Sequence, residues 1–251
     1  MLIDTNTFLG AWPFSPDPEY TSGKFLDHLN ENGIERALVS HFGSVFAPDP
    51  IPANKRLLRA TKSRPALVPV PVINLNLATW REQIERCLQA ASVPAVKILP
   101  NYHNYKLSSS RMEAFLEVLH SRGLKLILNV RLNDERGQYF ALKVKGVPIT
   151  GIVSFLNRFP ETHPLLTGLY RPELKELAGE CGNFSTDIAF CEWRKTVADL
   201  LTVMPSERLV LGTCSPLLST RAQVDKLRLA DISTKSKKQI SYLNAKRFFK
   251  L

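Results

Sequence analysis

The chain is poor in the features that mark several common protein classes. It has no run of 18 apolar residues, so no membrane-spanning helix is expected. No basic-then-apolar leader precedes the first apolar run, so no export signal is expected either. Its four cysteines, Cys87, Cys181, Cys191 and Cys214, show neither C-x-x-C spacing nor a framework pattern. Scattered thiols in 251 residues argue against a zinc cluster and for a reducing, cytoplasmic setting. No G-x-G-x-x-G or G-x-x-x-x-G-K follows the first strand, which removes support for nucleotide-binding open sheets. There is no low-complexity segment, no linker and no fixed-period repeat.

What is present is an ordinary globular composition, 44% hydrophobic and 22% charged, with a net charge of +10. The charge is uneven. Arg221 to Leu251 holds nine Lys/Arg and two Asp/Glu, or +7. A basic tail of this kind can meet nucleic acid, but no nucleic-acid-binding motif accompanies it. The tail also carries Ile240, Leu243, Phe248 and Phe249, an apolar series that would dock a terminal helix on the body of the fold. Neither a nucleic-acid nor a membrane partner is therefore expected.

Short aliphatic runs alternate with amphipathic segments along the whole length. Strands are expected at 2–5, 37–41, 66–73, 95–99, 125–130, 165–169, 183–188 and 209–212. Helices are expected at 24–32, 54–63, 78–90, 109–122, 149–159, 172–181, 192–203 and 220–229, with an extra one near 238–249. Hydroxyl caps at Ser109 and Ser110 and a stop at Gly123 bound the fourth of these. Pro172 suits a first helical turn. Eight strands alternating with eight helices predict a parallel sheet, and the length favours one α/β domain over 1–251, a closed (β/α)8 TIM barrel with an extra C-terminal helix.

Barrel strands are buried on both faces, so polar residues within them need a reason. Period-two parity turns Leu126, Leu128, Val130 and Leu132 toward the helices and Asn129 and Arg131 inward. The same reading places Lys97, Asn183, Ser185, Asp187 and Cys214 inward, and Asn6 and Phe8 on the face of Asp4. Asn6, Lys97, Asn129, Arg131, Asp187 and Cys214 thus gather at the carboxyl ends of the strands, where such barrels carry their sites. Two cations against one carboxylate predict a positive mouth that takes a small anionic molecule, or a loop acid such as Asp134 or Glu135. Arg131 could hold a carboxylate in bidentate fashion. For each residue a structural role stands beside the functional one. Lys97 could bridge to Asp187, Arg131 could pair with a loop acid, and Cys214 could be an inert small residue.

Several stretches resemble one known family. Ile3-Asp4-Thr5-Asn6-Thr7-Phe8 is similar to the first barrel strand of amidohydrolase-related proteins, which normally ends in His-x-His. Gly10-Ala11-Trp12-Pro13-Phe14, Lys97 to Tyr105, Asn129 to Arg136, Leu211 to Pro216 and Asn244 to Phe249 resemble, in order, later landmarks of its decarboxylase and lactone-hydrolase branch. The resemblance implies ligand contacts at Trp12, Asn101 and His103 beside the inward set. It also implies a divalent metal, and here the chain departs from it. The strand-one pair falls on Asn6 and Phe8, the strand-five His on Asn129, and the strand-eight Asp on Cys214. The strand-six His has no counterpart, since His163 lies at the wrong end of that strand. No cofactor is therefore expected; a zinc site rebuilt from His103, Asp187 and Cys214 is disfavoured. Two functions stay open. One is metal-independent hydrolysis of a lactone, ester or amide, with Asp187 or Glu135 as general acid/base and Lys97 as a Schiff-base variant. The other is a non-catalytic binding or scaffold protein. Homo-oligomerisation is left open.

Overall fold

A computed structural model of the chain describes residues 1–14 and 21–251. Among the described residues, eight strands alternate with helices. They are β1 (Ile3–Leu9), β2 (Arg36–His41), β3 (Leu67–Pro69), β4 (Ala95–Ile98), β5 (Lys125–Asn129), β6 (Leu165–Thr167), β7 (Ser185–Asp187) and β8 (Leu209–Val210). All neighbouring pairs run parallel, in the orders β1-β2-β3 and β4-β5-β6-β7-β8. Two seams join these arcs. At one, Ile73 N–H donates to Lys97 O (2.9 Å) and Lys97 N–H to Pro71 O (2.8 Å). At the other, Thr5 N–H donates to Leu211 O and Phe8 N–H to Ser215 O, both at 2.9 Å. The sheet is therefore closed, the expected TIM barrel.

Both faces of the cylinder are apolar, as closure requires. Leu126, Leu128, Val130, Val96, Ile98, Phe184, Ile188, Leu209 and Leu211 pack outward against helices α4 (Trp80–Ala90), α5 (Arg111–Ser121), α6 (Ile149–Arg158) and α7 (Arg171–Glu180). Ile3, Leu38, Val68, Ala95, Ile127, Leu165 and Val210 fill the lower interior. Ala245 and Phe249 of the terminal helix α11 (Asn244–Phe249) complete that layer.

Several expectations are corrected. β3 is three residues long rather than eight, because Pro69 and Pro71 have no N–H to give a ladder. The helix expected at 192–203 is only α8 (Thr196–Leu200), since Lys195 takes a left-handed φ of 56°. Ser110 caps α5 without a side-chain hydrogen bond. Leu132 lies past the end of β5 and joins the upper interior instead of the helix layer. Asn183 precedes β7 and spends its amide on Leu156 O and Pro160 O. In the tail, Ile240 and Phe249 are buried as expected, but Leu243 is 39% exposed. There a π-helical turn at Gln239–Leu243 presents Ile240 O to Leu211 N–H of the barrel (2.9 Å). A short helix not foreseen, α2 (Phe42–Phe46), follows β2 directly.

Candidate functional site

The polar residues predicted to converge do so, but as a closed network. β1 carries a bulge between Asp4 and Thr7. It changes the parity of the strand, so Ile3 packs into the lower interior while Asn6 and Phe8 also face inward above it. Asn6 is the hub. Its Nδ2 donates to Asp187 Oδ2 (3.0 Å) and its Oδ1 accepts from Lys97 Nζ (3.0 Å). Lys97 Nζ also sits 4.2 Å from the centre of the Phe8 ring. Asp187 Oδ1 accepts from Gly168 N–H (3.3 Å). A Cβ at Gly212 would lie 2.6 Å from Asp187 Cβ, so the bare glycine just past β8 is what lets this carboxylate pack there.

Asp4 joins the set from the β1–β8 seam. Its Oδ1 accepts from Asn6 N–H (3.1 Å) and Thr213 N–H (3.0 Å), and Oδ2 from the Thr213 hydroxyl. Burial shapes every titration here. It lowers the Lys97 ammonium to about 8, partly offset by Cys214, Asp187 and Asp4. It raises Asp4 to about 7 against its hydrogen bonds. It likewise raises Asp187, against the bonds from Gly168 and Asn6, and the Cys214 thiol.

Arg131 takes the loop-acid partner expected as its structural role, and a second acid besides. It is 3% exposed and fully engaged by carboxylates. Its guanidinium binds Glu135 Oε1 (2.6 and 2.8 Å), both oxygens of Glu173 (2.7 and 2.8 Å) and Gly168 O (2.8 Å), and lies 3.7 Å over the Tyr170 ring. Burial works to lower its affinity for the proton, but the bonds to Glu173 and Glu135 outweigh it and raise the pKa. Glu173 opens α7, 42 positions downstream, and only the fold brings it there. The expected positive cup is thus neutralised from within. Glu135 accepts from Arg131 and from Gly146 N–H (3.3 Å), and among the described residues no hydrogen bond or ion pair joins it to Lys97 or Asp187.

The remaining candidates serve the frame. Asn101 donates to Val130 O and Lys145 O. His103 places Nε2 3.2 Å from Val45 O, and burial lowers its pKa. Cys214 Sγ points to Leu132 O (3.4 Å). Asn129 donates to Thr167 Oγ1 (2.9 Å), leaving its own Oδ1 buried without a partner among the described residues. Above the network lies an apolar roof of Phe8, Phe42, Val45, Leu99, Leu132, Phe190 and Cys214. Trp12 packs on it, 5.2 Å from Phe42 and 5.3 Å from Phe46 between ring centres. Sequence reasoning missed this roof because Phe42 and Val45 come from α2, which has no periodic signature at five residues.

A divalent ion does not fit these residues. A zinc site takes about three protein ligands converging within roughly 2.0–2.3 Å. Among the described residues no group of three His, Cys, Asp or Glu is arranged to hold a metal. Asn6 stands between the Asp187 carboxylate and the Lys97 ammonium, already a cation, which would repel a second one.

The class these elements define is the closed (β/α)8 barrel, with its polar centre at the carboxyl ends of the strands. No protein-family model matches the chain, and no curated protein sequence matches it. Solved structures do. The chain is similar to 5-carboxyvanillate decarboxylase from Sphingomonas paucimobilis, with a TM-score of 0.77 and 15% identity over 100% of this chain and 99% of that one. It is similar to a dihydroxybenzoic acid decarboxylase from a Polaromonas species, solved with manganese and the inhibitor 2-nitroresorcinol (0.76, 15%, 100% and 97%). It is also similar to a structure assigned as a 2-pyrone-4,6-dicarboxylic acid hydrolase from Acinetobacter baumannii, with citric acid bound (0.72, 12%, 100% and 99%). At these identities the likeness is one of fold, the closed parallel barrel.

Proposed function

We propose that the chain is a metal-free relative of the amidohydrolase-type enzymes, in which the Lys97 ammonium has taken over the electrostatic place of the ion. On this reading the barrel centre is structural and the protein acts by binding rather than by turnover. The observation that carries it is the internal completion of the network. Lys97, Asn6 and Asp187 satisfy one another, Arg131 is shared by two glutamates, and the Phe8–Phe42 roof covers them. A working hydrolytic centre needs an unpaired carboxylate base, and Asp187, Glu135 and Glu173 are each already hydrogen-bonded. Small anions such as those bound by its structural neighbours would then have to bind outside this centre.

One observation favours a second reading, an ion-free enzyme. A Lys97 amine with its pKa near 8 holds a useful fraction of free base at neutral pH. A single experiment separates the two. The protein is incubated with aromatic aldehydes, keto acids and lactones, with cyanoborohydride added to the carbonyl arms. No turnover and no mass adduct supports the binding protein. An adduct on Lys97, or lactone turnover lost in Lys97→Met, supports the enzyme and overturns the first reading.

A further inference from the structure

The opposite end of the barrel holds a second, independent feature. A cavity of about 520 Å³ opens at the amino-terminal rim, between the loops that lead into β3, β4 and β5 and the end of α11. That volume lies within the range of small-ligand pockets. Its walls are Pro65, Val68, Pro94 and the Phe248 ring, and its charged groups are Arg36, Lys125 and Lys250. No Asp or Glu side chain lines it. Among the described residues none of the three cations has an ion pair within 4 Å. The adjacent acid, Glu35, is turned to the Met1 amine at 3.1 Å.

Two further observations point to a ligand. Arg36 Nε is buried and has no hydrogen-bond partner, a cost that a native structure normally avoids. The potential of this end is positive beyond the pocket itself. His163, whose ring lies 6.5 Å from Phe248, has its pKa lowered by burial and then by Arg208, Lys125 and Arg247. Lys125 Nζ sits 5.5 Å from the Phe248 ring centre, so a cation and a flat apolar wall are side by side.

We propose that this cavity is a binding site for a small anion with a flat apolar body, such as an aryl carboxylate or aryl phosphate. The anionic head would meet Arg36, Lys125 and Lys250, and the ring would lie along Phe248, Pro65 and Pro94. Three cations supply the attraction and no Asp or Glu side chain competes with it; Leu251 also lines the cavity, and against its carboxylate the three cations still leave the site positive. Arg36 Nε is itself buried, so a partner must enter the cavity to reach it, which favours a small molecule over a nucleic acid.

The test is titration of the whole protein with phenyl phosphate and benzoate, followed by calorimetry and by the ¹H–¹⁵N signal of the Arg36 Nε–H. Inorganic phosphate, benzyl alcohol and a short single-stranded RNA are the comparison probes. The inference expects saturable binding of the two aryl anions, a shift of the Arg36 signal, and weaker binding of phosphate or benzyl alcohol by at least about tenfold. Arg36→Gln and Lys125→Gln should each weaken the aryl anions by about tenfold while leaving the melting temperature near that of the parent. Binding with an unmoved Arg36 signal and unaffected by both variants places the ligand elsewhere and overturns the inference. Phosphate binding as tightly as phenyl phosphate overturns the apolar half of it. RNA binding far more tightly than either, and weakened by the same variants, replaces the small molecule with a polyanion.

Discussion

Replacing Asp4 by Asn should stabilise the protein at alkaline pH and not at acid pH. Asp4 is fully buried, and burial raises its pKa from 3.8 to about 7. The folded state therefore holds a proton that the unfolded chain releases between about pH 4 and pH 7. Over that window stability falls as pH rises; the contribution is whole below pH 4 and gone above pH 7. A displacement of this size makes the ionised form cost on the order of 4 kcal/mol at pH 8. Asn removes that cost. Its Oδ1 can keep both backbone bonds that Asp4 Oδ1 accepts, from Asn6 (3.1 Å) and Thr213 (3.0 Å). Only the bond from the Thr213 hydroxyl must be rebuilt, since an amide now faces it, at a loss of about 1 kcal/mol. The net gain at pH 8 is about 2–3 kcal/mol; it shrinks toward pH 5, crosses zero between about pH 4 and pH 5, and becomes a loss of about 1 kcal/mol at lower pH. Asp187, raised in the same direction, titrates in both proteins and largely drops out of the difference. Urea unfolding of parent and variant at pH 5, 6, 7 and 8 measures it. A variant that is less stable at pH 8, or a difference that does not change with pH, would refute the reasoning.

Further outcomes follow from the same contacts. Lys97→Met leaves Asn6 Oδ1 buried without its donor and removes the cation that faces Asp187 across Asn6, and should cost about 1–3 kcal/mol by urea unfolding. The loss should shrink as pH falls, because burial raises the Asp187 carboxyl and its protonation removes the uncompensated charge. Arg131→Lys keeps the charge but cannot span Glu135 and both oxygens of Glu173, and should lower stability by about 2 kcal/mol in the same assay. Gly168→Ala asks an L-residue to hold φ +85° with its Cβ 2.1 Å from Arg131 O. Circular dichroism should show loss of cooperative folding or a lowered melting temperature, whereas Gly151→Ala, with open space around it, should melt with the parent.

Much of the barrel was legible because its signals are local. β4, β5 and β8 show in sequence the two-residue alternation that burial on two faces preserves, and Lys97, Asn129 and Asp187 stand on the interior side as that alternation requires. The centre was legible only as a list of side chains. Their pairing depends on contacts made across the cylinder, such as Glu173 with Arg131 and Asn6 with Asp187, 181 positions apart. Asp4 was placed on the face of Asn6 but not counted with the site, because its partner Thr213 is 209 positions away. A bulge in β1 breaks the alternation, so Ile3 and Asn6 face the same interior although their parities differ. Of the two neutralising anions the sequence allowed, the loop acid Glu135 is the one seen on Arg131, while Glu173 was not foreseen because it comes from the first turn of α7.

Elemental analysis of the protein purified from zinc- and manganese-supplemented medium tests most directly whether an ammonium has replaced the ion. The account predicts far less than one divalent ion per chain, and an unfolding curve unmoved by added zinc, manganese or chelator. One tightly held ion per chain, released on replacing Asn6 or Asp187 by Ala, would contradict it.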